Sequence, residues 1–216
     1  MRRDKENARD IEIINQQADR LNQETLAALA YQIPLENVAL TVRQLTLEPP
    51  AGYDPEVGRW LAALEECRRR TKRYLDGLDP AAVDWLDPQI RHSIGTLLYH
   101  MAAVEADWLY TDVMQQALPA AVAATFPHEV YDAQGRLTIV RAIPLDGYLE
   151  LLDATRARFL DAFREMTLAD FRRPREFPDR QVTPEWVIQH LIQHESEHRS
   201  ELWKLRTNFE KAVLES

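Results

Sequence analysis

His190-Leu191-Ile192-Gln193-His194-Glu195-Ser196-Glu197-His198-Arg199 carries three histidines in steps of four. Residues four apart lie on neighbouring turns of one helical face, so adjacent imidazoles in this ladder can point at the same spot. A further histidine, His100, stands in a second apolar helical stretch, Leu97-Leu98-Tyr99-His100-Met101-Ala102-Ala103-Val104. Two ligands from one helix and one from a partner helix make a three-histidine metal site that leaves a coordination position open for water or substrate. An active centre of this kind belongs between the facing helices of a bundle.

Working outward, Thr183-Pro184 opens the ladder helix, which extends to about Lys211. An arginine- and proline-rich loop from Thr167 to Val182 precedes it. A third long helix starts near Asp146, with Tyr148, Leu149, Leu152, Phe159, Leu160 and Phe163 inward. The segment from Leu118 to Pro144 breaks the periodicity. There Val130-Tyr131 and Leu137-Thr138-Ile139-Val140 flank Asp132-Ala133-Gln134-Gly135, which reads as a small hairpin or an irregular flap. Ser93 caps the helix of His100, which runs to about Ala117. Asp54-Pro55 starts another, with Val57, Trp60, Leu61, Leu64, Cys67, Thr71 and Leu75 on one face and an end near Gly77. Asp79-Pro80 and Asp87-Pro88 frame a turn-rich segment. The fold class is therefore all-α: four long helices over residues 55–211. The connections after the second and third are too long for a simple up-down bundle.

The first fifty residues read as an N-terminal helical extension, so the chain divides into 1–50 and 51–216. One helix covers about 8–31, and Pro34 opens a shorter one, although residues 40–47 also alternate loosely like a strand. Thr46 to Tyr53 is a linker by composition.

The 216 residues are 45% hydrophobic and carry a formal charge of −9. That charge argues against a nucleic-acid backbone or an anionic membrane as partner. No run approaches the ~20 apolar residues of a membrane span, and the first residues lead into no signal core. A single cysteine, Cys67, excludes an internal disulfide framework and fits a reducing cytoplasm.

Histidines within a core-facing arc need partners, because an unpaired buried imidazole is costly. Metal ligation satisfies several at once; Glu197 or Glu201 could orient a ligand's free N–H. A metal-free interaction module, its histidines bonded to Glu105 or Glu197, is the competing reading. His194-Glu195-Ser196-Glu197-His198 also matches the H-E-x-x-H pattern of zinc peptidases, with Glu195 as general base. The expected downstream ligand and the accompanying strands are missing.

His92-Ser93-Ile94-Gly95-Thr96-Leu97-Leu98-Tyr99-His100 through Glu105 resembles the second helix of the DinB-like and YfiT-like metalloenzyme family. Thr183-Pro184-Glu185-Trp186 through His198-Arg199 resembles its last helix, with the pattern H-x-x-x-H-E-x-x-H-R. The resemblance implies a four-helix bundle of up-down-down-up topology, a homodimer, and metal ligands at His100, His194 and His198. His190 then neighbours the site and is not a ligand. Zinc or nickel is the implied ion, with iron also compatible. The implied activity is thiol transfer to, or hydrolysis of, a small electrophilic molecule, the thiol being of low molecular weight. Where the family continues with glycine and glutamine after H-R, this chain has Ser200 and Glu201.

Overall fold

The structure is a computed structural model that describes residues 45–215. The helices expected over 8–31 and from Pro34 lie outside the described residues, apart from Leu45, Thr46 and Leu47, which adopt neither helix nor strand. Four long helices carry the rest: α1 (Pro55–Leu75), α3 (Ile94–Asp107), α5 (Leu145–Ala162) and α7 (Pro184–Leu214). Short helices α2 (Pro80–Val83), α4 (Ala120–Ala123) and α6 (Leu168–Phe171) lie between them.

The starts follow from local chemistry. Asp54, Ser93 and Thr183 each stop the helix with a side-chain oxygen that accepts from a first-turn N–H, from Glu56, Thr96 and Trp186 respectively. Proline follows Asp54 and Thr183 at the first helical position, where its missing N–H costs nothing. The expected end of the His100 helix near Ala117 comes early. After Asp107 the chain widens into a π-helical turn, Trp108–Val113, and the Met114 N–H bonds the Leu109 carbonyl at 2.9 Å.

Side-chain contacts fix the helix directions. Cys67 meets Ser196 and Tyr74 meets Arg206, so α1 and α7 run parallel. His100 meets His194 and Trp108 meets Trp186, so α3 opposes α7. Gly95 meets Tyr148 and Glu105 meets Arg156, so α5 runs with α3. The topology is up-down-down-up. Parallel neighbours α3 and α5 require a connection that travels back along the bundle, and residues 114–144 supply it. Within that stretch Tyr131 and Leu137 form one antiparallel bridge around the turn at Asp132, the small hairpin expected. The 167–182 loop holds more structure than its composition suggests: α6 and two short antiparallel strands, β1 (Arg175–Glu176) and β2 (Gln181–Val182).

The core lies along α3, where twelve of fourteen residues are buried. Gly95 is required there. A Cβ at that position would stand 2.7 Å from the Tyr148 ring, which is fully buried against the helix. Among the described residues, no helix is long and apolar enough to cross a membrane.

Candidate metal centre

The structure brings His100, His194 and His198 together. The Nε2 atoms of His100 and His194 are 3.1 Å apart, and those of His198 and His194 are also 3.1 Å apart. One ligand-type atom from each ring lies within 4.8 Å of the others. The four-residue spacing stacks His194 and His198 on one face of α7; α3, crossing antiparallel, delivers His100 from the other side.

Burial acts on the two inner rings. It is the main cause that pushes His100 down to about 4 and His194 down to about 3, with the neighbouring imidazoles adding to it. Both rings are therefore neutral near pH 7, and their lone pairs are free. His198 is oriented differently. Its Nδ1 lies 2.7 Å from Glu201 Oε2, and that hydrogen bond holds the Glu201 carboxyl below the usual range. An ionised Glu201 accepts from Nδ1, and Nε2 is left facing the cluster.

This arrangement poses a proton problem. His194 Nε2 faces two nitrogens at once. A single proton on His194 can be shared between the two contacts at best. A cation at the centre accepts all three. Nitrogens about 3 Å apart match adjacent ligands bonded at about 2.0–2.1 Å. The donor set fits a divalent ion of the imidazole-binding kind. His100 Nδ1 is buried with no hydrogen-bond partner among the described residues.

His190 lies one turn away, outside the cluster. It stacks on Trp186, with centroids 5.1 Å apart and planes 5° from parallel, and packs against Trp108 at 4.7 Å. Glu197, one of two candidates for orienting a ligand, instead accepts from Gln193. The arginines of the 167–182 loop are engaged: Arg172 with Glu56, Arg173 with Asp170, and Arg180 with Asp112. Arg175 is buried, donating to the Val113 carbonyl and pairing with Asp170.

Beneath the cluster is a feature that the sequence reading did not find. Arg68, Glu105, Arg156 and Glu195, one from each long helix, are all at most 4% exposed. Glu105 receives Arg68 at 2.8 Å and Arg156 at 2.7 and 2.8 Å. Glu195 receives Arg68 at 3.0 Å and Arg156 at 3.4 Å. Burial pushes the Glu105 carboxyl up, but the two guanidinium groups outweigh it and hold it below its ordinary value. Glu195, the would-be general base of the H-E-x-x-H reading, is thus locked into an ion lattice. Among the described residues, Glu105, one acceptor of the metal-free reading, is taken up by Arg68 and Arg156, and the other, Glu197, accepts from Gln193 and not from a histidine.

The model of the DinB superfamily matches residues 63–202, which include every residue of the cluster. Among solved structures, the chain is similar to YfiT from Bacillus subtilis, described as a probable metal-dependent hydrolase with an unusual four-helix bundle topology. That match has a TM-score of 0.52 and 18% identity, and covers 75% of this chain and 93% of that one. None of the curated proteins matches the chain in sequence.

Proposed function

Because this chain belongs to the DinB superfamily, we propose that it is a metal-dependent enzyme whose divalent ion is held by His100, His194 and His198. The observation that carries the proposal is the convergence of the three rings, with His194 Nε2 3.1 Å from both His100 Nε2 and His198 Nε2. Zinc or nickel suits three neutral imidazoles best, and iron is also compatible. Such an ion supplies a Lewis acid that lowers the pKa of a thiol or water at its open position.

The chain's own residues do the rest. Glu201 fixes the tautomer and tilt of His198. Burial keeps His100 and His194 unprotonated, so a metal does not compete with protons near neutrality. The buried ion lattice pins α7 through Glu195, next to His194, so the ligand helix does not rotate.

The reaction is attack by an activated water or low-molecular-weight thiol on a small electrophile. Hydrolysis draws support from the description of YfiT, and thiol transfer from the family resemblance. The homodimer remains part of this proposal through the same resemblance, and the cytoplasmic setting through the single cysteine, Cys67. Elemental analysis of protein purified without an affinity tag tests the centre, with His100→Ala and His194→Ala run alongside. About one divalent ion per chain in the parent and its loss from both variants is expected. Near-stoichiometric metal in both variants overturns the assignment.

A further inference from the structure

Beside the histidine cluster, between α3 and the 118–131 flap, lies a cleft of ≈ 570 Å³. Small-molecule sites commonly have this size. Its floor is Ala103 and Val104, the turn of α3 directly beyond His100, and Phe126, Val130 and Tyr131 face them from the flap. Tyr131 belongs to both features. It lines the cleft, and its ring meets that of His100 edge-on with centroids 5.8 Å apart. A molecule in the cleft therefore lies against a wall of the histidine cluster.

The flap is held in place by the residue next to His100. The Tyr99 hydroxyl donates to the His128 carbonyl at 2.8 Å and accepts from the His128 N–H at 3.0 Å. Phe126 packs edge-on against the same ring at 5.7 Å. One side chain thus fixes the flap relative to α3, and the cleft exists before any ligand arrives.

Charge selects the occupant. Asp107 and Glu129 line the cleft, and no lysine or arginine does. Among the described residues, the hydrogen bond to the Asp107 carboxylate comes from the neutral Thr111 hydroxyl. Two carboxylates beside the aromatic rings of Phe126 and Tyr131 are the groups that attract an organic ammonium ion. The apolar floor suits a hydrocarbon body.

We propose that this cleft binds the substrate of the metal centre, and that the substrate class is a small organic cation with an apolar body, an alkyl- or arylammonium compound. The name substrate rests on the metal reading above; the cleft and its charge preference do not. Benzyltrimethylammonium and benzenesulfonate are suitable probes, because neither coordinates metal well and they differ mainly in the sign of their charge. Titration calorimetry on the full chain is expected to show the ammonium binding at least about tenfold tighter than the sulfonate. Asp107→Asn/Glu129→Gln abolishes the preference. Ala123→Trp, at an exposed position on the cleft's lip, blocks the ammonium without altering metal content or thermal stability. Equal affinity for the two probes, binding of neither, or undiminished binding by Ala123→Trp overturns the proposal. Metal content measured on the same samples separates the two readings. Ammonium binding to protein that takes up no divalent metal upholds the cleft and overturns the centre; one metal per chain with no ammonium binding does the reverse.

Discussion

Replacing Arg156 by methionine removes one of the two cations from the buried lattice while keeping most of the side chain's volume. Among the described residues, the Glu105 Oε1 atom then loses its only partner, and Oε2 keeps Arg68 alone. Glu195 Oε2 loses its contact too. The four-charge cluster passes from neutral to a net negative charge with almost no exposure to water. Breaking a buried ion pair by removing one partner costs about 3–5 kcal/mol, a large share of the roughly 5–15 kcal/mol that stabilises a domain. Urea unfolding at pH 7, followed by circular dichroism, measures the loss. Glu65→Gln is the control: Glu65 pairs with the same guanidinium from the half-exposed rim, and its loss should cost under about 1 kcal/mol.

Acid gives the second signature. In the parent, Glu105 is held below its ordinary value. Its contribution is therefore fully present above the unfolded pKa, about 4.3, and disappears only as pH falls through the lower folded one. In Arg156→Met, burial meets less opposition and drives the folded pKa of Glu105 upward. Stability then falls as pH rises, so the deficit against the parent should be smaller at pH 5 than at pH 7. A deficit under about 1 kcal/mol at pH 7, or one that grows on acidification, would refute the view that the lattice is held by its charges.

Two other perturbations probe separate parts of the structure. Gly95→Ala drives a methyl group into the buried Tyr148 ring, an overpacking that costs about 1–3 kcal/mol and exceeds the helix-propensity gain; thermal unfolding should show it, and Gly95→Ala/Tyr148→Leu should recover part of the loss. Glu201→Ala frees the His198 ring and should weaken metal binding about 10–100-fold in chelator competition, with glutamine intermediate. Unchanged affinity in the alanine variant would mean that Glu201 does not orient its neighbour.

The four long helices were legible because the apolar stripe on each is regular and three of the four starts carry a capping residue. The spacing that suggested three converging imidazoles corresponds to the cluster the structure contains, and Glu201 was one of two acceptors that the spacing allowed. Choosing between Glu197 and Glu201 needed the rotation of α7, which no single-helix pattern supplies. The ion lattice went unseen because Glu105 and Glu195 read as groups beside the histidines and the two arginines look like ordinary surface charge in isolation. Its signal was present all the same. Arg68 falls in step with Leu64, Thr71 and Leu75, and Arg156 with Leu152 and Phe159, so each arginine sits on an apolar arc. The π-helical turn after Asp107 had no signal in composition; it coincides with the packing of Trp108 against Trp186 and His190.

The parallel course of α3 and α5 has a consequence for how such a protein can diversify. A chain that must return along the bundle is obliged to spend a long stretch outside it, yet nothing in the scaffold dictates what that stretch contains. The outer wall of the cleft is thus carried by a segment apart from the rods that hold the imidazoles, joined to them by the Tyr99 phenol, by Tyr131 against His100 and by apolar packing. Chemistry and taste can then evolve on separate segments, so that a descendant could change what it accepts by rewriting a single detour.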